Sequence, residues 1–189
     1  MNKEYWEKRY QNNETGWDTG KITTPLQEYI DQIKNKSLKI LIPGAGNGYE
    51  FDYLIQNGFL NVTVIDIAKQ PLETIQKRNP EQANNLNQGN FFELQKTFDL
   101  IIEQTFFCAL NPETRSKYVT KMHSLLKENG KIVGLLFDFP LSEVGPPFGG
   151  SKQEYINLFS QKFNIKKLER AYNSIKPRKD KELFFIFEK

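Results

Sequence analysis

The chain of 189 residues is 38% hydrophobic and 26% charged, a composition that is typical of one globular domain and argues against disorder. Its net charge of +3 is spread along the chain except at residues 176–181, so the sequence predicts no nucleic-acid partner. No apolar run approaches the roughly 18 residues of a membrane span, and the N-terminus lacks the apolar core of a signal peptide. Cys108 is the lone cysteine, so an internal disulfide is impossible. We therefore expect a cytoplasmic protein that does not bind a membrane.

Residues 5–17 concentrate aromatic side chains in an otherwise polar stretch. Both tryptophans of the chain, Trp6 and Trp17, lie here together with Tyr10. Chain termini fray unless something ties them down. These rings are therefore predicted either to pack on the core or to close over a ligand.

From residue 38 onward, strand and helix patterns alternate. Continuous apolar or β-branched runs predict buried strands at 38–43, 61–68, 98–107 and 131–139. Capping signals and helical spacing predict helices at 50–56, at 71–78, from Asn111-Pro112 to Asn129-Gly130, and from a capping box at 151–154.

The chain ends in two further strand patterns with a basic loop between them. Because no helix separates these strands, they should pair antiparallel. Alternating helices and buried strands predict an α/β fold whose mainly parallel sheet is covered by helices on both faces. A ligand of such a sheet is expected beyond the carboxyl ends of the strands, near the topological switch point.

A glycine loop, PGAGNGYE, follows the first predicted strand. Gly44, Gly46 and Gly48 permit a tight turn that brings the backbone close to a ligand. A P-loop is excluded because such a loop ends in Gly-Lys-Ser/Thr, which is absent here. A dinucleotide fold is disfavoured because its third small position falls on Tyr49, whose ring obstructs close helix–strand packing. The G-x-G-x-G spacing instead favours a loop that binds S-adenosylmethionine.

An acid lies at the distance from this loop that suits a ribose-binding residue. Asp66 closes the second predicted strand, 22 residues after Gly44. A carboxylate in that place accepts hydrogen bonds from ribose hydroxyls. Loop, strand and acid together indicate a methyltransferase that uses S-adenosylmethionine and releases S-adenosylhomocysteine.

The chain resembles class I S-adenosylmethionine-dependent methyltransferases, in particular the thiopurine S-methyltransferases and the related plant thiol and halide methyltransferases. Besides the loop and the acid, the resemblance rests on WEKRY…GWDTG (6–20), FFCALNPETRSKY (106–118) and the GPPF loop (145–148). It implies one methyltransferase domain, 1–189, with a Rossmann-like sheet of seven strands, an antiparallel C-terminal pair, and an N-terminal segment, 1–20, that covers the cofactor.

The resemblance also implies roles for individual residues. The residues implied to bind the cofactor are Trp6, Tyr10, Trp17, Gly44, Gly46, Asp66, Asn90, Phe91 and Gln104. Arg115 occupies the position of an arginine that approaches the reaction centre in thiopurine enzymes. Asn90 stands in place of the family's usual aspartate, and Gln104 in place of an aromatic residue of the plant enzymes.

Transfer of a methyl group from a sulfonium depends on alignment of the reactants more than on a strong base. A soft anionic acceptor reacts best once it has lost its water, so we expect a dry aromatic chamber with Phe106, Phe107 and Phe148 as candidates. A cation such as Arg115 raises the thiolate fraction of a nearby thiol. One histidine and one cysteine in the whole chain predict no metal site.

The sequence therefore predicts an S-adenosylmethionine-dependent transferase that methylates a small thiol or a similar soft nucleophile, as a monomer or a weak homodimer. The change at Gln104 counts against halide or thiocyanate as the acceptor. Halide or thiocyanate transfer and O- or N-methyl transfer remain alternatives, as do a non-catalytic cofactor-binding protein and an NAD-dependent oxidoreductase.

Overall fold

The computed structural model describes all residues from 1 to 189 and contains a sheet of seven strands. The strands are β1 (Ile40–Pro43), β2 (Val62–Asp66), β3 (Leu86–Gln88), β4 (Phe98–Gln104), β5 (Leu126–Phe137), β6 (Asn164–Arg170) and β7 (Glu182–Glu188). Their order across the sheet is β3-β2-β1-β4-β5-β7-β6, and β6 and β7 pair antiparallel. The predicted α/β class, the seven strands and the antiparallel C-terminal pair are confirmed.

Six α-helices connect or precede these strands. They are α1 (Lys3–Gln11), α2 (Thr24–Asp31), α3 (Tyr49–Gln56), α4 (Lys69–Arg78), α5 (Arg115–Leu125) and α6 (Lys152–Phe159). None of them combines the length and the apolar character that crossing a membrane requires.

The chain divides into two compact units, residues 1–94 and residues 95–189, called here the first unit and the second unit. The first unit contains β1 to β3 with α1 to α4, and the second contains β4 to β7 with α5 and α6. The sequence expectation of a single domain stays a prediction.

In the first unit, β2 pairs in parallel with β1 on one side and with β3 on the other. All four residues of β1 are buried, as its unbroken apolar run predicts. The helices bury apolar residues at helical spacing, such as Leu26 and Ile30 of α2 and Leu72 and Ile75 of α4.

In the second unit, β5 pairs in parallel with β4 and antiparallel with β7. Phe185 and Phe187 of β7 are buried, and the ring of Phe187 lies 4.7 Å from that of Phe159 on α6. These contacts pack α6 on the antiparallel part of the sheet.

The boundary between α5 and β5 differs from the sequence prediction. The helix predicted to end at Asn129-Gly130 ends at Leu125, and β5 begins at the next residue. Leu126 has extended dihedral angles and pairs with Phe98, after which the register shifts. Asn129 takes a φ of 61° within the displaced stretch. The Asn-Gly pair therefore marks a bulge in a strand and not the predicted end of a helix.

The apolar run at 98–107 is a strand only as far as Gln104. Thr105 has a φ of 59°, in the left-handed region, and this ends β4. A 3-10 helix, Phe107–Ala109, follows. Phe106 and Phe107 therefore lie in the turn after the strand.

Candidate functional site

The glycine loop joins β1 to α3 and has a backbone that favours glycine. Gly44, Gly46 and Gly48 have φ angles of 77°, 52° and 76°. A Cβ on Gly46 would meet nothing within 4 Å, whereas one on Gly48 would lie 2.4 Å from Cγ1 of Ile75 in α4. The loop is therefore open at Gly46 and packed closely against α4 at Gly48.

Asp66 lies at the end of β2 and fastens this loop. Its Oδ2 accepts a hydrogen bond from the backbone N–H of Ala45 at 2.7 Å, and its Oδ1 accepts one from Ala68 at 2.8 Å. The backbone N–H of Ile67 contributes a further hydrogen bond to this carboxylate. Burial raises the pKa of Asp66, and hydrogen bonds from backbone N–H groups oppose that shift.

Arg78 supports the loop from α4, a role that the sequence did not suggest. Its Nε donates to Oδ2 of Asp52 at 2.8 Å, and its Nη2 donates to the carbonyl of Asn47 at 2.5 Å. The loop is thus held both at Ala45 and at Asn47.

The three N-terminal rings form one cluster. The ring of Trp17 lies 5.6 Å from that of Trp6 and 5.4 Å from that of Tyr10, both in edge-to-face geometry. Tyr10 is buried, while Trp6 and Trp17 are half-buried. Burial raises the pKa of Tyr10, and the charge of Asp66 adds to this shift, so the phenol lies near the predicted ribose-binding acid.

The end of this segment is fastened to the start of α3. The hydroxyl of Tyr49 donates to Oδ1 of Asp18 at 2.9 Å, and the same oxygen accepts from the N–H of Gly20 at 2.8 Å. Tyr49, which counted against a dinucleotide loop, thus links residues 18–20 to the helix that follows the glycine loop.

Asn90 and Phe91 lie after β3, where the adenine was expected. Oδ1 of Asn90 accepts from the N–H of Phe92 at 3.0 Å, and its Nδ2 donates to Oε1 of Glu93 at 3.0 Å. Phe91 is buried and Asn90 is exposed. The amide of Asn90 caps a short 3-10 helix here, and its contact with adenine stays a prediction.

In the second unit, Glu103 organises the turn after β4. Its side chain is fully buried, and its Oε1 accepts from the N–H groups of Phe106 at 2.8 Å and Phe107 at 3.0 Å. Its Oε2 accepts from the hydroxyl of Tyr118 at 2.7 Å. No role for Glu103 was predicted from the sequence, where an acid inside the apolar run FDLIIEQTFF was the available signal.

We expect Glu103 to make stability depend on pH. Burial raises the pKa of Glu103 from 4.5 to about 7 despite its three hydrogen bonds. Between these values the folded protein binds a proton that the unfolded chain has released. The free energy of unfolding should therefore fall as the pH rises through this window, by at most about 1.4 kcal/mol per pH unit.

Urea denaturation at pH 5, 6 and 7 measures this slope. Glu103→Gln removes the titrating group and should flatten the slope, while Glu113→Gln, at an exposed position of the same unit, should keep it. Equal slopes in the wild type and Glu103→Gln would contradict the assignment.

Two of the three phenylalanines predicted for the acceptor chamber are buried. Phe107 packs edge-to-face on Tyr118 and Tyr155, with ring separations of 5.0 Å and 5.8 Å. Phe148 is buried, and its N–H donates to the carbonyl of Cys108 at 2.7 Å. Phe106 is half-buried. The structure thus brings Phe107 and Phe148 to adjoining turns of the second unit.

Arg115 is buried among protein groups. Its Nη1 donates to Oε1 of Glu154 at 2.5 Å, and its Nη2 donates to the carbonyl of Gly149 at 2.6 Å. Its Cζ lies 4.8 Å from the centre of the Phe107 ring, and its Nε is buried without a hydrogen-bond partner. A role for this guanidinium toward a thiolate stays a prediction.

Comparison with known proteins decides the family. The sequence model described as Thiopurine S-methyltransferase (TPMT) matches residues 1–189. The chain belongs to the thiopurine S-methyltransferase family. It is an S-adenosylmethionine-dependent methyltransferase, and the family resemblance and cofactor predicted from the sequence are confirmed. The NAD-dependent alternative is thereby set aside.

Two plant proteins are similar to this chain in sequence, and one solved structure is similar to it in fold. The chain is 31% identical over 156 residues to "Probable thiol methyltransferase 2" of Arabidopsis thaliana, covering 79% of this chain and 69% of the relative. It is 27% identical over 188 residues to "Thiocyanate methyltransferase 1" of Brassica oleracea, covering 94% and 81%. The Burkholderia thailandensis 1,6-didemethyltoxoflavin-N1-methyltransferase, solved with S-adenosylhomocysteine, shares the fold with a TM-score of 0.77 at 16% identity, covering 99% and 86%.

The residues of the first unit fit this cofactor. The open space at Gly46 leaves the loop backbone accessible to a ligand, because no side chain fills it. The carboxylate of Asp66 is an acceptor of the kind that ribose hydroxyls need, and its bond to Ala45 holds it beside this loop. An accessible glycine backbone and a nearby carboxylate are therefore compatible with S-adenosylmethionine.

Proposed function

We propose that this methyltransferase transfers the methyl group of S-adenosylmethionine to a small thiol or a similarly soft anion such as thiocyanate. The family match spans the chain, and two similar plant proteins are named for thiol and thiocyanate methylation. We propose further that the protein acts in the cytoplasm as a monomer or a weak homodimer.

One structural observation favours a soft acceptor over a hydroxyl. Beside the candidate aromatic residues of the second unit, Glu103 is fully buried and accepts three hydrogen bonds, and Arg115 is bound to Glu154 and Gly149. Glu103 therefore cannot reach an acceptor as a base. A phenolic hydroxyl, with a pKa of about 10, needs such a base more than a thiol with a pKa of about 8.5, and thiocyanate needs none.

The proposal assigns the cofactor to residues of the first unit. The Gly44 and Gly46 backbone lies against the methionine part, Asp66 accepts the ribose hydroxyls, and Asn90 and Phe91 flank the adenine. The Trp6, Tyr10 and Trp17 cluster covers the cofactor, and ring faces attract a sulfonium by roughly 0.5–2 kcal/mol.

The second unit supplies the acceptor side in this proposal. Phe106, Phe107 and Phe148 exclude water from the nucleophile, and Gln104, the last residue of β4, stays a predicted cofactor contact. The bound sulfonium supplies an activated leaving group, so the chain's task is alignment at reacting distances of roughly 3–3.5 Å.

Turnover with a panel of acceptors tests the proposal. S-adenosylhomocysteine formation should be fastest with aliphatic and aromatic thiols and measurable with thiocyanate, with phenols at background. Activity on thiols should rise toward pH 8.5 as thiolate forms, while activity on thiocyanate should lack this rise. Faster turnover of phenols or amines would support O- or N-methyl transfer. Cofactor binding without turnover of any acceptor would support the non-catalytic alternative.

A further inference from the structure

Arg115 connects three pieces of the second unit that are distant in sequence. It is the first residue of α5, and it is bonded to Glu154 in the first turn of α6 and to the carbonyl of Gly149 in the preceding loop. Its guanidinium also covers the ring of Phe107. A planar guanidinium presents its donors in a fixed fork, so these bonds fix relative positions as well as contributing energy.

The segment fixed in this way carries Phe148. The N–H of Phe148 donates to Cys108, and the carbonyl of the next residue accepts from Arg115, so Phe148 is anchored on both sides. By contrast, Leu141 and Val144 in the same loop are 49% and 86% exposed. Arg115 therefore holds the base of a loop whose remainder is open to solvent.

Glu154 belongs to a capping box in which only one of the two usual hydrogen bonds forms. The hydroxyl of Ser151 accepts from the N–H of Glu154 at 3.3 Å, as such a box requires. The carboxylate of Glu154, which usually returns to the N-cap backbone, is bonded to Arg115 instead. Its side chain is 40% exposed, so its charge can be removed without leaving a buried cavity.

We propose that Arg115 is a positioning residue, which together with Glu154 fixes Phe148 and thereby sets the fit of the acceptor. The inference rests on the proposed function, in which Phe148 contacts the acceptor. It assigns the arginine a different task from raising the thiolate fraction, because its Nη1 and Nη2 both donate to protein acceptors.

Steady-state kinetics of Arg115→Gln, Glu154→Gln and the double variant test this assignment, with Glu113→Gln as the matched exposed control. Both single variants should raise the KM for a thiol and for thiocyanate by about fivefold or more, with little change in S-adenosylhomocysteine affinity. The double variant should resemble Arg115→Gln, because that substitution alone already removes the bond between Arg115 and Glu154. The midpoint of the pH profile of kcat with a thiol should stay at the wild-type value.

A second readout is independent of activity. Hydrogen exchange at the amides of Phe148 and Gly150, which donate to Cys108 and Phe139, should be about tenfold faster in Glu154→Gln than in the wild type. If Arg115→Gln does not fold, Arg115→Lys takes its place in both measurements, because lysine keeps the positive charge but lacks the planar guanidinium that bonds Glu154 and Gly149 together.

The outcomes separate the inference from the proposed function. The positioning role would be overturned if Arg115→Gln shifted the midpoint of the pH profile of kcat with a thiol upward while Glu154→Gln kept the wild-type KM and the wild-type amide exchange at Phe148 and Gly150. That result would support a contact between Arg115 and the thiolate. A wild-type enzyme inactive on all thiols and thiocyanate would overturn the proposed function, and exchange at Phe148 would still decide the positioning role.

Discussion

Asp66→Asn is expected to weaken the binding of S-adenosylhomocysteine by about 100-fold or more, the largest effect we predict for one substitution. In the proposed function the carboxylate accepts the ribose hydroxyls while it also accepts the backbone N–H groups of Ala45 and Ala68. The amide nitrogen of asparagine accepts none. The substitution therefore removes at least one ribose contact and turns a donor toward a backbone N–H.

The same geometry predicts a second consequence of this substitution. One of the two N–H groups loses its acceptor, so the free energy of unfolding should fall by about 1–3 kcal/mol without cofactor. Asp66 thus supports the glycine loop besides its proposed contact with the cofactor.

Calorimetric titration with S-adenosylhomocysteine and urea denaturation of the free protein measure the two effects. Asp31→Asn is the matched control, because this exposed carboxylate accepts only from the hydroxyl of Tyr53 among the bonds found for it. Unchanged cofactor affinity in Asp66→Asn would remove the ribose role, whatever happens to stability.

Deletion of residues 1–18 is expected to weaken S-adenosylhomocysteine binding by at least about tenfold while the rest of the protein stays folded. Tyr10 is the only buried residue of α1, and Trp6 and Trp17 are half-buried, with the ring of Trp17 packed on those of Trp6 and Tyr10. The deletion also removes Asp18 and with it the bond from Tyr49. We therefore expect the segment to contribute more to covering a ligand than to the core.

Circular dichroism and titration of the truncated protein separate these contributions. Trp17→Ala should reproduce part of the affinity loss because Trp17 lies at the centre of the cluster. Tyr172→Ala, a change at an aromatic side chain that is 82% exposed, should leave affinity unchanged. A truncated protein that no longer folds would show that the N-terminal rings are core residues.

The architecture was predictable because its signals are local. The unbroken apolar run of β1 and the β-branched run of β2 identify buried parallel strands directly. The bulge at Asn129 was not predictable, because an Asn-Gly pair favours left-handed backbone equally at a helix end and within a strand. Only the pairing of Leu126 with Phe98 distinguishes the two.

The candidate site was predictable where spacing carries the chemistry. The three loop glycines and Asp66 are related by distance along the chain, and the structure connects them through Ala45. Arg78, Glu103 and the bond between Tyr49 and Asp18 depend on which residues meet after folding. A charged residue in a sequence gives no sign of whether its partner is water or a backbone carbonyl, as the burial of Arg115 shows.

Cys108 has a consequence for an enzyme whose proposed acceptors are thiols. Its Sγ donates to the carbonyl of Thr105 at 3.3 Å, and burial, reinforced by the charge of Glu103, raises the pKa of this thiol well above its ordinary value. Acceptor thiols ionise near pH 8.5, about the pH at which they become nucleophilic, while Cys108 stays protonated. Burial therefore keeps the one thiol of the chain in its weakly nucleophilic form at the pH at which acceptor thiols react.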